Sequence, residues 1–326
     1  MLPMGIFDAI HQKIVDAKSI TIWGHALPDG DCYGCQLALR EALRFNFPEK
    51  HVFALGSGIP ELFDRLEEMD GADDDEIRDS LAVLVDVSCL QRVESRRVFL
   101  ASEWVKFDHH MSNPIHEPFP YPIYVAIPGR IACAEILFDY FVDKGYRLNK
   151  LIAEALYLGI YTDSGGFVYP GTTEHTMEVV NRLLGYGVEP DSMLDIIRAR
   201  SPEYLAFAAY LRNARIKDGQ VSYLYVPKGN YELRGLKYEI ASSMVSELGK
   251  GVSTPIYCLF TEMPDGKEIR GEVRCVKAYN VQPTCAAFGG GGHKCAAGVS
   301  FHDPENDIPP FIAALNRLEP VYNDGD

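Results

Sequence analysis

The chain has 326 residues, room for about two domains at ~100–200 residues each. Apolar residues at 47% and charged residues at 24% exclude disordered and fibrous classes. Lys plus Arg 31 against Asp plus Glu 46 gives a net charge of −15, which repels a long duplex unless cations or a basic pocket concentrate positive charge locally.

The start, Met1-Leu-Pro-Met-Gly-Ile-Phe-Asp8, has neither a basic cluster nor a long apolar stretch. No secretory signal is read there, and the cytoplasm is expected. Lys18 to Gly24 reads as a short β-branched strand, and Cys35 to Phe45 repeats apolar positions at helical spacing. Between them lies the one CxxC, Cys32 to Cys35. With no second pair it completes no zinc ribbon, and small side chains at a helix start explain it better than redox chemistry. The eight cysteines are scattered, and in a chain of this length without a signal they form no disulfide framework. His51 to Leu55 is a second strand, and a helix-like stretch from Glu61 to Met69 runs into Asp73-Asp-Asp-Glu76, read as a solvated connection. Leu81 to Asp86 and Trp104 to Phe107 are buried-strand patterns. The densest apolar run, Leu81 to Val87, is interrupted by Asp86 and falls well short of the ~18 residues of a membrane span. Ala132 to Asp143 and Asn149 to Tyr161 read as helices. Strands alternating with helices predict an α/β domain, a parallel sheet with helices on both faces, over residues 1–190. Asp191 to Ala199 and Pro202 to Ala214 predict a helical connector over 191–214. Strands at Gln220 to Val226, Ile256 to Thr261 and Ile269 to Val276, with helices at Tyr238 to Leu248 and near Pro310 to Leu318, predict a smaller mixed α/β domain over 215–326. Neither an internal repeat nor a low-complexity segment is seen.

Ligands in an open parallel sheet bind beyond the carboxyl ends of the strands. The first strand runs into His25-Ala-Leu-Pro-Asp29-Gly-Asp31, the third into Asp86 and the fourth into Asp108-His109-His110, while Asp163 follows the helix from Asn149. Any one of these alone is a turn residue or a helix cap. Together they would bury so many anions, at several kcal/mol each, that divalent cations are the physical remedy. Mixed imidazole and carboxylate donors suit manganese, zinc or iron better than calcium, and carboxylate-rich sites favour manganese or magnesium. Two cations at ~3.5–4 Å share a bridging carboxylate and lower the pKa of a water that attacks phosphorus in line. Phosphoester hydrolysis is the expected reaction. In the C-terminal region, Gly289, Gly290, Gly291 and Gly292 precede His293; they are read either as a flexible turn or as a nest of amides for an anion. Arg274 and His293 could hold a phosphate or carboxyl group.

These motifs resemble the DHH phosphoesterase superfamily, named for the triplet seen here as Asp108-His109-His110. The first motif is His25-x-x-Pro28-Asp29-x-Asp31, the second Asp86, the fourth Asp163-Ser164-Gly165. Gly290 to His293, followed by Ala296-Ala297-Gly298, resembles the signature of the DHH-associated domain. Within the superfamily the chain is most similar to the nanoRNase and pAp-phosphatase branch, which cleaves very short RNA to mononucleotides and removes the 3′-phosphate of 3′-phosphoadenosine 5′-phosphate (pAp). The resemblance implies two divalent cations, manganese first and magnesium or cobalt next. It assigns His25, Asp29 and Asp86 to one and Asp31, Asp86, His109 and Asp163 to the other. It makes Asp108 an orienting residue, turns His110 to the substrate phosphate, and gives nucleotide phosphate to Arg274, His293 and the glycine amides. Cysteines at 35, 133, 275 and 295 depart from the family's small residues, and Arg130 stands near a position that is often a small hydroxyl residue, from which it could itself reach the site.

The partners implied are a short single-stranded oligoribonucleotide or a small nucleotide, with no membrane; a homodimer is a common form for a soluble enzyme. Hydrolysis of cyclic or linear dinucleotides, or of polyphosphate, is the alternative activity. An inactive nucleotide-binding module is the alternative outside catalysis, and the full set of motif residues argues against it.

Overall fold

The computed structural model describes position 5 and residues 7–59, 62–110, 123–169, 171–198, 201–276 and 278–321. They fall into two units, Met1–Ala199 and Arg200–Asp326. The first runs α1 (Asp8–Asp16), β1 (Ser19–Trp23), α2 (Gly30–Asn46), β2 (His51–Leu55), α3 (Phe63–Leu66), α4 (Asp74–Arg78), β3 (Ser80–Val85), β4 (Glu103–Asp108), β5 (Ile123–Ala126), α5 (Cys133–Asp143), α6 (Lys150–Asp163), α7 (Glu174–Leu184) and α8 (Pro190–Arg198). Its five strands are all parallel, in the order β2-β1-β3-β4-β5.

A parallel sheet is covered on both faces, so its central strands read as continuous apolar runs. Every residue of β3 is buried. Ile20, Ile22, Val83, Val85 and Phe107 face one core, shared with residues of α1, α2, α5 and α6. Trp23, Ala82 and Leu84 face the other, shared with Ile77 of α4 and with Leu90 and Val98 of two 3-10 turns. Helices on both faces are therefore present, with the second face covered by short pieces. The acidic run Asp73–Glu76 is exposed to solvent as expected, but it starts a helix and is more than a connection. Asp73 accepts from the amides of Asp75 and Glu76 at 3.0 and 2.8 Å, and Glu76 Oε2 accepts from the Asp73 amide at 2.7 Å. This capping box starts α4 and so turns Ile77 into the core.

Helix α2 lies against α6 because two glycines remove the obstructing methylene. A Cβ on Gly34 would stand 2.3 Å from the Ala155 carbonyl oxygen, and one on Gly159 would stand 2.5 Å from Asp31 Oδ1. The contact fixes the N-terminal end of α2, with Asp31, against α6, whose last residue is Asp163.

The second unit runs α9 (Pro202–Ala214), β6 (Ile216–Asp218), β7 (Val221–Val226), α10 (Lys228–Glu232), α11 (Tyr238–Ser243), β8 (Ile256–Glu262), β9 (Ile269–Cys275), α12 (Gln282–Ala287), β10 (Gly291–His293), β11 (Ala296–Phe301) and α13 (Pro304–Leu315). Its mixed six-stranded sheet has the order β10-β11-β9-β8-β7-β6, with only the β7–β8 pairing parallel. Cys258, Phe260 and Val273 pack with α12 and α13 on one face. Leu224, Val226 and Leu259 pack with α9 and α11 on the other. The two helices of the expected connector are α8 and α9, one in each unit. The helix expected from Tyr238 to Leu248 tightens into a 3-10 turn at Met244. The last helix starts at Pro304, earlier than expected, because Asp303 caps it by accepting from the Glu305 and Asn306 amides.

Candidate metal centre

Strands β1, β3 and β4 end side by side, so the residues that follow them gather at one edge of the sheet. Asp29 is the N-cap of α2: its Oδ1 accepts from the Asp31 and Cys32 amides at 3.1 and 3.0 Å. Its Oδ2 is left 3.6 Å from His25 Nε2. Asp31, fully buried, is held at the N-terminus of α5, where Cys133 N donates to Oδ2 at 2.6 Å and Ala134 N to Oδ1 at 3.0 Å. Orphan amides and the helix dipole there favour an anion. Asp86 sits at φ +55, a left-handed conformation that costs a non-glycine residue free energy and that clusters at functional sites. Its Oδ2 is 3.5 Å from His25 Nε2 and its Oδ1 3.3 Å from His109 Nε2, which is 3.4 Å from Asp163 Oδ2.

Both histidines are turned by their other nitrogen. His25 Nδ1 meets the Ala26 carbonyl at 3.0 Å and His109 Nδ1 the Arg130 carbonyl at 3.2 Å. A carbonyl only accepts, so Nδ1 carries the proton in each and Nε2 points at the carboxylates. His110 is held by the same nitrogen but on a carboxylate: its Nδ1 donates to Asp108 Oδ1 at 2.8 Å, and its amide donates to the same oxygen at 3.1 Å. The other oxygen of Asp108 is 3.0 Å from Lys106 Nζ, an ion pair buried at both ends.

The donor atoms suit divalent cations. Ligand atoms of Asp31, His109 and Asp163 lie within 4.8 Å of one another, as do those of Asp86, His109 and His110, and those of His25, Cys32 and Asp86. Asp86 Oδ1 is buried and accepts no hydrogen bond from the described residues. Such an atom is expensive to leave unmatched, and a cation held there would match it. Burial, then repulsion from Asp86 and Asp163, holds the Asp31 carboxyl well above its usual range. Burial with Asp29 and Asp86 pushes Asp163 up to about 8. Burial opposes charge on His109, but Asp86, Asp31 and Asp163 outweigh it and carry it up to about 10. On His25, likewise, burial is overcome by hydrogen bonds to Asp29 and Asp86, and its pKa is raised. Without cations the cluster holds itself together with protons, and cations would replace them.

The six residues expected as ligands are thus brought together. Cys32 was not among them; its sulfur accepts from the His25 amide at 3.2 Å, and burial pushes its thiol up to about 11, away from the thiolate that metals take. Arg130 does not turn its guanidinium to the site: Nη2 bonds Asp139 at 2.8 Å, and only its carbonyl reaches the centre. The amides of Cys133 and Ala134 and the Arg130 carbonyl leave no mark in side-chain patterns, and Lys106 reads in the sequence only as a polar residue inside a buried strand.

In the second unit, Arg274 lies on β9 opposite Ala296, with Nη1 3.2 Å from Glu272 Oε2. The expected run of free glycine amides is corrected in part. Gly289 N donates to the Ala286 carbonyl and Gly290 N to the Cys285 carbonyl, so both close the end of α12. Gly291, Gly292 and His293 form β10, paired with β11; the His293 side chain is outside the described structure. Gly292 has φ +134, and a Cβ there would stand 2.6 Å from the Ala296 carbonyl oxygen, so the position admits glycine alone.

The model of the DHH family, N-terminal domain, matches residues 19–160, and that of the DHHA1 domain matches residues 218–319. The chain is similar to the bifunctional oligoribonuclease and PAP phosphatase NrnA of Bacillus subtilis (strain 168), 26% identical over 304 residues that cover 92% of this chain and 94% of the relative. It is similar to the probable bifunctional oligoribonuclease and PAP phosphatase NrnA of Streptococcus mutans serotype c, 28% identical over 306 residues, 93% of this chain and 96% of the relative. The crystal structure of an exopolyphosphatase-related protein from Bacteroides fragilis shares the fold, with a TM-score of 0.83 at 21% identity over 97% of this chain and 98% of that one. With both domain models matched in this order and both relatives covered nearly end to end, the chain belongs to the DHH family of phosphoesterases, an N-terminal DHH domain followed by a DHHA1 domain.

Proposed function

We propose that this protein hydrolyses short oligoribonucleotides to mononucleotides and pAp to AMP and phosphate, using two divalent cations, manganese by preference. The observation that carries the reading is the gathering of His25, Asp29, Asp31, Asp86, His109 and Asp163 around a buried, unmatched carboxylate oxygen. The names of the two relatives, which this chain covers almost completely, support the substrate class.

His25, Asp29 and Asp86 would hold one cation and Asp31, Asp86, His109 and Asp163 the other, Asp86 offering one oxygen to each side. Cations held there supply a water of lowered pKa and positive charge for the phosphoryl oxygens. The chain's own groups do the rest. The Ala26 and Arg130 carbonyls keep the two Nδ1 protons, so His25 and His109 offer Nε2 lone pairs. Asp108, clamped by Lys106, keeps the Nδ1 proton of His110, so a His110 that enters the reaction as the imidazolium can give its second proton, from Nε2, to the departing oxygen and end as the neutral Nδ1–H ring. Arg274 would supply a nucleotide phosphate with a donor, and His293 belongs with it by its motif. With −15 overall, such local donors make short or small substrates the fit and leave a long duplex excluded. No described helix is long and apolar enough to cross a membrane.

The test is parallel hydrolysis of pAp and a linear diribonucleotide with manganese, with Asp86→Ala as the control. Cleavage of both is expected, lost in the variant together with bound metal. If the metal-loaded protein cleaves neither, the substrate class is wrong; if Asp86→Ala keeps turning over, the shared carboxylate is wrong.

A further inference from the structure

Three facts about one short segment, residues 127–134, bear on the two cation positions unequally. Its start is tied to β4, where the Ile127 amide donates to the Asp108 carbonyl at 3.1 Å. The Arg130 carbonyl fixes the tautomer of His109, and the Cys133 and Ala134 amides fix both oxygens of Asp31. Two of the three donors grouped as Asp31, His109 and Asp163 are therefore oriented by the same few residues. No described hydrogen bond runs from this segment to His25, Asp29 or Asp86.

The segment is held from behind by the side chain of Arg130. Its Nη2 bonds Asp139 Oδ2 on α5 at 2.8 Å, and its Nη1 is 4.0 Å from Oε2 of Glu135, which is fully buried. Asp139 Oδ2 is also 3.2 Å from His175 Nε2 on α7. Arg130, Glu135, Asp139 and His175 thus cluster together, and the one close bond of the guanidinium, to Asp139, ties the segment to α5.

We infer that Arg130 is a positioning residue for one cation alone, the one held by Asp31, His109 and Asp163, acting through its carbonyl and the N-terminus of α5. This rests on the two-cation reading above. Loss of the guanidinium frees residue 130 to move, so His109 loses the acceptor that fixes its tautomer and Asp31 sits on a loosened helix end. Changing a partner of a ligand in this way typically lowers metal affinity by about 10–100-fold.

The experiment is calorimetric titration of the whole metal-free chain with Mn2+, comparing the parent with Arg130→Gln, Arg130→Lys and Asp139→Asn. Nitrogen NMR of the His109 ring, in the chain loaded with diamagnetic Mg2+ so that a cation displaces the Nε2 proton, reads which nitrogen keeps its proton. The expected result is two sites in the parent and, in Arg130→Gln, one site weakened roughly 10–100-fold with the other unchanged, with His109 Nδ1 no longer uniformly protonated. Arg130→Lys should recover part of the loss, since a lysine reaches Asp139 with a single donor. If Arg130→Gln does not fold, Asp139→Asn must show the same asymmetry. Two sites unchanged in a folded variant, or both weakened alike, would overturn the inference while leaving the two-cation reading intact. A parent that binds fewer than two ions would remove that reading and this inference with it.

Discussion

At the scale of single residues, the centre is decided by which nitrogen of each histidine is already engaged. His25 and His109 each lend Nδ1 to a backbone carbonyl, His110 lends its Nδ1 to Asp108, and what remains differs because of what stands opposite. The Nε2 atoms of His25 and His109 meet carboxylate oxygens at 3.3–3.6 Å, the spacing of two donors around one ion. Burial opposes charge on Asp108, but the His110 hydrogen bond and Lys106 outweigh it, so its carboxyl stays below the usual range and remains an acceptor. Removing His110 therefore touches proton transfer and spares the cation donors named above. His110→Gln should lower turnover by about 10²–10⁴-fold, the usual yield of a general acid, with two equivalents of manganese still bound. Metal analysis of the purified variant checks this, and loss of an ion would make His110 a ligand instead.

At the scale of elements, the site depends on how closely α2 and α6 approach. Gly159 allows it, and an added methyl 2.5 Å from Asp31 Oδ1 and 2.9 Å from Ala134 Cβ would have to push both away. Gly159→Ala should cost about 1–3 kcal/mol in denaturant unfolding, as overpacking does, and weaken the cation at Asp31 more than the one at His25. Unaltered stability and affinity would mean the helices separate freely. This contact shows where sequence reading stops. His25, Asp86 and the Asp108 triplet were legible because each follows a short apolar strand, and polar residues in that place stand out. Gly34 and Gly159 sit inside amphipathic helices, where a glycine is noticed only once the partner helix is known. The Asp73 cap reads in the sequence as plain charge, since an N-cap and a charge run look alike until the burial of Ile77 is known. In the glycine loop the composition was plain but its hydrogen bonds were not: two of the four amides close α12. Strands β5 and β11 carry little strand signal in the sequence, one being a four-residue edge strand and the other rich in alanine and glycine.

At the scale of the molecule, a chain of net charge −15 gathers carboxylates in its interior, and that fixes how its stability answers pH and metal. In the metal-free fold Asp163 keeps its proton up to about 8, whereas a free aspartate releases it near 3.8. Between those values the folded state holds a proton that the unfolded chain has lost, so stability falls as pH rises. His109 adds the same sign in a higher window: its stabilising charge is complete below 6.5 and lost through about 10. Raised carboxyls at Asp31, Glu135 and Asp139 act in the same direction as Asp163. Asp29 and Asp108 are lowered and act only below 3.8, and His11, lowered chiefly by burial, opposes the trend only below its ordinary 6.5. Divalent cations reverse the balance, because they replace the protons and bind better the more fully the carboxylates are ionised. The metal-free protein should therefore melt at a lower temperature at about pH 8 than at about pH 5.5, and saturating manganese should raise the melting temperature far more at the higher pH. Calorimetry at the two pH values, with and without metal, decides it. A metal-free melting temperature that climbs with pH would mean that the carboxylates are matched by some cation other than a bound metal.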